Sequence, residues 1–485
     1  MRWLLALALT LSSAPPVAAQ TADKVIEGEI TGEDHQTYRE IPFDVPPGVE
    51  RITVRLTYDK GNRTVVDLGL WDPSGFRGWS GGTRDRLTVT RNEATPGYVP
   101  GPMLPGRWHV QLGIPNVRAG NRSPFKIEVF FDQDGVNHAS AAIATPPVNP
   151  EAGWYRGDLH MHDAHSDGSC TSQAGTRVPC PLFRTVEAAA EAGLDFIAVT
   201  DHNTSSHFNG LRELQPYFDK LLLIPGTEIT TFGGHANLLG STQWVDFRVG
   251  SKAVRDITAL HTRVEQTGGI LSINHPGQPS GEICMGCGWT WEGTDWSKVA
   301  AIEAVNGLTS QGPMAGWHFW YQRLNEGHRL TGIGASDNHN PDAASDRPGV
   351  GQPRTVVYAQ ELSVPGILAG IKAGRVFVDV EGTAHRLLDV SATAGGHTAT
   401  MGSTLAPSGA EITVTARLRG LTEGAAVLIA SGKQLQARPV PSSTAQEEVR
   451  FTVSAAEACG WISVNVAAPE GKPILIGNPI YVKCK

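Results

Sequence analysis

The segment Gly157-Asp-Leu-His160-Met-His162-Asp-Ala-His165-Ser-Asp167-Gly168 stands at the end of a predicted β-strand. Side chains of a strand point alternately to its two faces, so His160 and His162 share one face. Two imidazoles on one face can bind the same metal ion. This segment therefore predicts a metal site at the carboxyl end of a strand.

Five further apolar strands end beside an imidazole or a carboxylate, and a short strand begins at His235. These strand ends lie at 196–203, 221–228, 270–276, 301–306 and 332–339. Helical stretches such as 184–192 and 253–266 alternate with the strands, a pattern typical of an α/β domain. In a closed β/α barrel the carboxyl ends of the strands converge on one rim. We therefore expect residues 154–380 to form a barrel whose rim collects these side chains.

Histidine is unevenly distributed along the chain. Eleven of the 16 histidines fall between His160 and His339, where an even distribution over 485 residues would place about six. A role in the core or on the surface is the expectation for six histidines: His109, His138, His261, His328, His385 and His397. Imidazole together with carboxylate suits Zn, Mn or Fe, and about nine donors at the rim exceed what one ion can bind. We therefore expect two or three divalent ions.

Six short motifs follow one another between residues 160 and 339. They are His-x-His with Ser-Asp-Gly at 160–168, Thr-Asp-His at 200–202, Pro-Gly-x-Glu at 225–228, the isolated His235, Asn-His-Pro at 274–276 and Ser-Asp-x-His at 336–339. This region resembles the PHP (polymerase and histidinol phosphatase) superfamily of metal-dependent phosphoesterases. The resemblance implies a distorted barrel of seven β/α units and a Glu228 that bridges two ions. The metal ligands that it implies are His160, His162, Asp167, His202, Glu228, His235, His275, Asp337 and His339.

Finer features are similar to those of the exported, carbaryl-hydrolase-like branch of that superfamily. They are Asp-His-Asn-Thr at 201–204 with His207, Cys-Met-Gly-Cys-Gly-Trp at 284–289 and a β-rich N-terminal arm. Members of the branch hydrolyse carbamate or aryl esters in some cases and phosphate esters in others. The resemblance thus implies hydrolysis and leaves the substrate open.

The N-terminus has the pattern of a secretory signal peptide over residues 1–19. A charged residue is followed by an apolar run and by small residues that end in Val17-Ala18-Ala19. The alternative is a buried N-terminal helix. The run is shorter than the roughly 20 residues that a bilayer span needs, so we expect an exported protein, periplasmic or secreted, without a membrane anchor.

One β-domain is expected before the barrel in the sequence and one after it. Short alternating strands separated by Pro and Gly turns predict an N-terminal β-sandwich over 22–135. Strands without helices predict a C-terminal β-sandwich over 387–485. The Ala- and Pro-rich stretch 136–153 is expected to be a linker.

The six cysteines are expected to form disulfides, because an oxidising compartment favours pairing and the count is even. Proximity in the sequence predicts three pairs: Cys170–Cys180, Cys284–Cys287 and Cys459–Cys484. The alternative is a structural zinc held by the first four of these residues. Only Cys284 and Cys287 have the spacing that zinc ligands usually show.

The donor-rich rim predicts a hydrolase, because adjacent divalent ions lower the pKa of a bridging water towards neutrality and polarise an ester. The sequence has no Walker loop, Rossmann fingerprint or Gly-x-Ser-x-Gly elbow, which disfavours nucleotide-driven, hydride and serine-esterase chemistry. We expect a bridging hydroxide to hydrolyse phosphoesters, in first place phosphodiesters. One alternative is hydrolysis of a carbamate or aryl ester at the same centre. Another is a secreted binding protein with structural metals.

Catalytic roles beyond metal binding are expected for a few residues near the rim. His207 and Asp201 are candidates for the general acid or base, and His165 is a further one. Arg354 could neutralise an anionic phosphate. Two residues are expected to orient ligating imidazoles: Asp163 and Asn274.

The overall charge gives no indication of a polyanionic partner. The chain has 40 Lys and Arg against 48 Asp and Glu, a net charge of -8. A nucleic-acid partner would favour a basic surface. We therefore expect a small-molecule ester as the partner, and self-association into a homo-oligomer stays open.

Overall fold

The computed structural model describes residues 21–80, 82, 84–133, 147–281, 284, 286–342, 348–407, 409–421, 424–431, 434–439 and 447–484. The predicted signal peptide, 1–19, lies outside the described residues, as does the larger part of the predicted linker, 136–153. The chain divides into two compact units, Met1–Asp134 and Gly135–Lys485. In the described part of the chain, no helix has both the length and the apolar character needed to cross a membrane.

The described part of the first unit consists of antiparallel strands in two four-stranded sheets. The strands are β1 (Lys24–Thr31), β2 (Thr37–Val45), β3 (Val49–Tyr58), β4 (Val65–Asp72), β5 (Gly75–Trp79), β6 (Arg86–Thr90), β7 (Gly106–Asn116) and β8 (Arg122–Gln133), with 3-10 helices at Gly32–Asp34 and Gly61–Arg63. The sheet orders are β1-β8-β3-β6 and β2-β7-β4-β5. Alternate side chains of both sheets form one apolar core that includes the buried Trp108. This arrangement agrees with the predicted β-sandwich.

The second unit begins with the region that carries the predicted ligands. Its strands are β9 (Gly153–Asp158), β10 (Ser169–Thr171), β11 (Arg177–Pro179), β12 (Phe196–Val199), β13 (Leu222–Thr231), β14 (Gly234–Leu239), β15 (Ile270–Ile273), β16 (Val299–Asn306), β17 (Thr331–Ala335), β18 (Arg354–Ala359) and β19 (Val376–Asp379). Its helices are α1 (Leu182–Glu191), α2 (Phe208–Leu214), α3 (Ile257–Gln266), α4 (Gly316–Asn325) and α5 (Val364–Lys372), with a 3-10 helix at Trp296–Lys298. Side-chain caps start two helices: Asp256 accepts from the backbone N of Ala259 at α3, and Ser363 accepts from the backbone N of Gly366 at α5.

The strands next to the predicted ligands lie side by side in one sheet. Their order is β17-β16-β15-β14-β13-β12-β9-β18-β19. Strands β9, β12 and β13 are mutually parallel, β15, β16 and β17 are mutually parallel, and β14 is antiparallel to both β13 and β15. Beyond the strand ends, Met161 forms a parallel bridge with Asn338. The carboxyl ends of β9 and β17 therefore adjoin.

The predicted α/β character of this region is confirmed, whereas the closed barrel of seven β/α units is not. A hairpin joins β13 directly to β14 and reverses the chain, where a helical crossover would keep its direction. Among the described residues, β17 and β18 are joined by a hydrogen bond to a side chain: the backbone N of Gly334 in β17 donates to Thr355 Oγ1 in β18 at 2.9 Å. Five α-helices accompany the described part of this sheet.

The C-terminal strands are partly continuous with the central sheet. They are β20 (Leu387–Ala394), β21 (His397–Thr400), β22 (Thr404–Leu405), β23 (Glu411–Arg419), β24 (Ala426–Ala430), β25 (Gln434–Pro439), β26 (Glu447–Ser454), β27 (Gly460–Ala467), β28 (Pro473–Gly477) and β29 (Ile480–Val482). Four of them extend the central sheet in the order β19-β28-β27-β24-β25, and four form a second sheet, β21-β20-β23-β26. Val356 and Phe377 share one core with Leu388 and Phe451. The region 387–485, predicted as a separate β-sandwich, therefore shares both a sheet and a core with the preceding strands.

Three disulfides join Cys170 to Cys180, Cys284 to Cys287 and Cys459 to Cys484. The predicted pairing is confirmed, and it leaves no thiolate for the alternative structural zinc. The first disulfide links β10 to the end of β11. Because the backbone N of Ala164 donates to the carbonyl of Cys180 at 2.7 Å, this small hairpin also holds the loop that carries the first predicted ligands.

A chain that ends at residue 386 should fail to fold, whereas a chain that starts at residue 147 should fold. The first truncation removes β28, the partner of β19, and exposes the core around Phe377. The second removes only strands whose core is formed by their own residues. Thermal unfolding followed by circular dichroism should show a cooperative transition for the second chain alone. A cooperative transition of the chain ending at 386 would contradict the shared core.

Candidate metal centre

The nine predicted ligands, called the donor cluster below, come together at the adjoining strand ends. They are placed as follows: His160, His162 and Asp167 after β9, His202 after β12, Glu228 in β13, His235 in β14, His275 after β15, and Asp337 and His339 after β17. Because these strands are neighbours in one sheet, donors that are far apart in the sequence become neighbours in space.

Glu228 is the centre of the donor cluster, and both of its carboxylate oxygens face imidazoles. Its Oε2 lies 3.3 Å from His160 Nε2, 3.4 Å from His162 Nε2 and 2.8 Å from His202 Nδ1. Its Oε1 lies 3.2 Å from His235 Nδ1 and 3.4 Å from His275 Nε2. A carboxylate with imidazoles around each oxygen is suited to bridge two ions.

Eight of the nine residues of the donor cluster, all except His235, fall into three overlapping groups, in each of which one ligand atom per residue lies within 4.8 Å of the others. The groups are His162, Asp167, His202 and His339; His160, His162 and Asp337; and His160, Glu228 and His275. Imidazole and carboxylate donors in groups of three or four fit borderline divalent ions. The overlap of the groups fits more than one ion.

Hydrogen bonds fix the imidazoles so that one nitrogen is left for the centre. The Nδ1 of His160 donates to Glu303 Oε1 at 2.7 Å, and the Nδ1 of His275 donates to the carbonyl of Cys287 at 2.9 Å. The Nδ1 of His339 donates to the carbonyl of Asp337 at 2.8 Å. Since carbonyl and carboxylate oxygens only accept, each Nδ1 carries a hydrogen, and in the neutral imidazole each Nε2 has a lone pair.

Three buried polar atoms at the centre have no hydrogen-bond partner among the described residues. They are His160 Nε2, His162 Nε2 and Glu228 Oε2. Buried polar atoms are normally satisfied, and leaving such a group unsatisfied costs about 1–3 kcal/mol. A divalent cation satisfies lone pairs that converge in this way, so the donor cluster fits metal binding.

The donor cluster is closed on one side and open on the other. The side chains of His160 and His162 are wholly buried, whereas Asp167 is 59% exposed, His339 is 36% exposed and His202 is 28% exposed. Two donors beyond strand ends also have left-handed backbone angles, with φ of 28° at His275 and 52° at Asp337. Such conformations are costly for residues other than Gly and often mark functional sites.

Three of the residues predicted to be catalytic, His207, Asp201 and Arg354, lie outside the donor cluster. His207 is wholly buried and its Nε2 donates to the carbonyl of Gly226 at 2.9 Å. Asp201 is also wholly buried and accepts from the backbone N of Asp163 at 3.0 Å. Arg354 is 6% exposed, and its Nη2 donates to the carbonyl of Ala192 at 2.7 Å. These bonds hold backbone segments together.

The two residues predicted to orient imidazoles act on other groups. Asn274 donates from Nδ2 to Glu228 Oε1 at 2.9 Å and so holds the central carboxylate. Asp163 accepts at 2.7 Å from the Nδ1 of His165, which is not a member of the donor cluster.

Glu303 is the carboxylate of the strand end 301–306, and it is not among the nine predicted ligands. It is wholly buried in β16, where Oε1 accepts from His160 and Oε2 accepts from the backbone N of His275 at 2.8 Å. The only sequence signal is its position in an apolar strand of the same series. The carboxylate of Glu303 accepts hydrogen bonds from His160 and His275 and does not point to the centre of the donor cluster. Only the structure shows this difference.

Carboxylates raise the pKa values of two imidazoles of the donor cluster. Burial alone would lower the pKa of His275, but the hydrogen bond and charge of Glu228 outweigh it and raise the pKa to about 9. Burial would also lower the pKa of His339, but the hydrogen bond and charge of Asp167 outweigh it and raise the pKa to about 9. Burial raises the pKa of Asp167, but the hydrogen bond and charge of His339 outweigh it and lower the pKa to about 2.

Comparison with solved structures gives several likenesses, two of which follow. Comparison with models of protein families gives no match, and neither does comparison with curated proteins. A two-domain protein of Bacteroides vulgatus that contains a predicted PHP-like metal-dependent phosphoesterase is similar at 20% identity, over 70% of this chain and 98% of that chain, with a TM-score of 0.36. A protein of Bifidobacterium adolescentis described as a candidate metal-dependent phosphoesterase is similar at 15% identity, over 40% of this chain and 92% of that chain, with a TM-score of 0.27. Both TM-scores lie below 0.5, so the function of this chain is inferred from its own side chains.

Metal binding should release protons and should become tighter as pH rises. His275 and His339, with pKa values of about 9, are protonated at neutral pH and must lose their protons to bind an ion. Below pH 9, each such group weakens the apparent affinity roughly tenfold per pH unit. Calorimetric titration with Mn²⁺ at pH 7.5, in two buffers of different ionisation enthalpy, should detect at least about one proton released per ion. An affinity for Mn²⁺ that is the same at pH 6.5 and 8.5 would contradict this assignment.

Proposed function

We propose that this chain is an exported metal-dependent hydrolase of phosphoesters, in first place a phosphodiesterase, from the carbaryl-hydrolase-like branch of the PHP superfamily. The observation that carries the proposal is the donor cluster, in which three overlapping groups of ligand atoms meet around Glu228. Two or three divalent ions, Zn, Mn or Fe, would lower the pKa of coordinated water and polarise the ester. Three disulfides support export, because an oxidising compartment favours them.

The chain's own residues prepare the centre for this chemistry. Glu303 and two backbone carbonyls keep the hydrogens of three imidazoles on the nitrogens that face away from the centre. Asn274 holds the carboxylate of Glu228 in one orientation. Once these imidazoles are neutral, their lone pairs are already aligned and the rings need no rearrangement when an ion binds.

Solvent exposure favours an enzyme over a binding protein with structural metals. A structural metal site has a closed ligand set, whereas a catalytic site keeps a position open. The outer donors Asp167, His202 and His339 are 59%, 28% and 36% exposed, respectively. A small-molecule ester can therefore approach the donor cluster from this side.

A carbamate or aryl ester is the second candidate substrate, and exposed aromatic side chains favour it. Phe232, in the β13–β14 turn, is 85% exposed, and Trp244 is 44% exposed. The Nε1 of Trp244 donates to the carbonyl of Asn203 at 3.0 Å, which puts this indole next to the residue that follows His202. Aromatic faces beside a metal ligand suit a substrate with an aryl group.

We assign proton transfer to His165 rather than to His207. The backbone N and the Nδ1 of His165 both donate to Asp163 Oδ1 at 2.7 Å, which fixes the ring and its tautomer. Its side chain is 33% exposed, whereas His207 is wholly buried. An oriented imidazole with one accessible nitrogen can serve as general acid or base.

Substrate comparison tests the proposed function. Wild-type protein loaded with Mn²⁺ or Zn²⁺ should hydrolyse bis(p-nitrophenyl) phosphate faster than p-nitrophenyl phosphate or p-nitrophenyl N-methylcarbamate, all of which release the same chromophore. The double variant His160→Ala, His162→Ala should lose at least about 10³-fold in rate, since it removes ligands shared by the overlapping groups. The matched control is His385→Ala, His397→Ala, which removes two exposed histidines of the C-terminal region.

The outcomes separate the candidates. A carbamate rate above both phosphate rates would favour the second candidate. Bound metal without turnover of any of these esters would contradict both hydrolase assignments and favour a binding protein. Hydrolysis that persists in the His160, His162 double variant would contradict the metal mechanism.

The variant His165→Asn should lower kcat by about 10²–10⁴-fold and leave KM nearly unchanged, because the residue transfers a proton and is not needed to hold substrate. Its pH–rate profile should lose the limb that belongs to the imidazole. Metal content should equal that of the wild type. A change in KM with an unchanged kcat would contradict the assignment.

A further inference from the structure

Asp163, Asp201 and His207 form a second set of donors, called the buried triad below. Asp163 follows His162 and Asp201 precedes His202 in the sequence. Neighbouring side chains of an extended segment point to opposite sides, so we expect Asp163 and Asp201 to lie on the other side of these segments from His162 and His202. All three side chains are wholly buried.

The hydrogen bonds of His207 determine which of its nitrogens is free. Its Nε2 lies 2.9 Å from the carbonyl oxygen of Gly226 and 3.2 Å from that of Val199. Because carbonyl oxygens only accept, Nε2 carries the hydrogen and Nδ1 presents a lone pair. This Nδ1 faces Asp201 Oδ2, also an acceptor, at 3.6 Å. Neither atom has a hydrogen-bond partner among the described residues.

Each carboxylate of the triad uses one oxygen for the protein and leaves the other unused. Asp201 Oδ1 accepts from Ser166 Oγ at 2.5 Å and from the backbone N of Asp163 at 3.0 Å. Asp163 Oδ1 accepts from His165 twice. The two remaining oxygens, Asp163 Oδ2 and Asp201 Oδ2, are buried without a hydrogen-bond partner in the described part of the chain. One ligand atom from each of Asp163, His165 and Asp201 lies within 4.8 Å of the others.

The spacing of His207 Nδ1 and Asp201 Oδ2 fits two donors on one metal ion. A distance of 3.6 Å is too long for a direct hydrogen bond between His207 and Asp201. A water that donates to both acceptors would hold them about 4.4 Å apart. Two donors on one tetrahedral ion lie about 3.4 Å apart. In the donor cluster, the Nε2 atoms of His162 and His160 lie 3.2 Å and 3.3 Å from Asp337 Oδ1, which is a similar spacing.

We propose that Asp163 Oδ2, Asp201 Oδ2 and His207 Nδ1 bind a further divalent cation, separate from the ions of the donor cluster. Two carboxylates buried side by side repel each other, and a cation between them removes this repulsion. One imidazole and two carboxylates are donors that Zn, Mn or Fe accept. The ion fixes Asp163, whose other oxygen orients His165, so its role is to position the side chain to which we assign proton transfer.

Anomalous diffraction from crystals of the full chain grown with Mn²⁺ tests the proposal. The wild type should give a peak bonded to all three triad atoms, in addition to peaks in the donor cluster. Elemental analysis of the desalted protein should find one Mn²⁺ per chain fewer in His207→Gln than in the wild type, because glutamine can still donate to Gly226 but lacks Nδ1. The matched control is His261→Gln, which replaces another wholly buried imidazole, one that accepts from the backbone N of Asp295, and should keep the full count.

The possible failures are distinct. Peaks in the donor cluster without a peak at the triad would overturn this proposal and leave the proposed function intact, since a shared proton would then balance the triad. Crystals without a peak at either place would overturn both. An unchanged metal count in His207→Gln would also overturn the triad site. If this variant does not fold, the wild-type anomalous map decides alone.

Discussion

Acceptor atoms that face one another inside a protein repel unless a cation lies between them, and this constraint governs the second unit of the chain. Five imidazoles surround the carboxylate of Glu228, and the lone pairs of His160 and His162 point inwards. Packing such atoms together is unfavourable by itself. The arrangement is consistent with a chain whose folding and metal binding are coupled.

The sheet supplies the geometry that this constraint requires. Parallel strands bring their carboxyl ends to one edge, which gathers donors from the segments after β9, β12, β15 and β17. The hairpin between β13 and β14 adds a donor in a different way, because it pairs Thr230 with His235 and so brings this imidazole back to Glu228. The same hairpin replaces a helical crossover, so the departure from a regular barrel contributes directly to the site.

The segments that follow β9 and β12 carry different sets of residues on their two sides. One side carries His160, His162 and His202 of the donor cluster, and the other carries Asp163 and Asp201 of the buried triad. His165 is held by Asp163 and is partly exposed. A short run of sequence thus provides candidate metal ligands, a candidate proton donor and the group that holds it.

The sequence alone determined which residues are donors, which strands precede them and which cysteines pair, because residue type, two-residue periodicity and short spacing are local properties. It also predicted the β-sandwich of the first unit and the α/β character of the second. Only the tertiary structure decided that His207 and Arg354 bond to backbone carbonyls, that Glu303 holds His160, and that β28 joins β19. The partner of a buried polar side chain depends on which element lies opposite it, and elements from distant parts of the chain meet there only after folding.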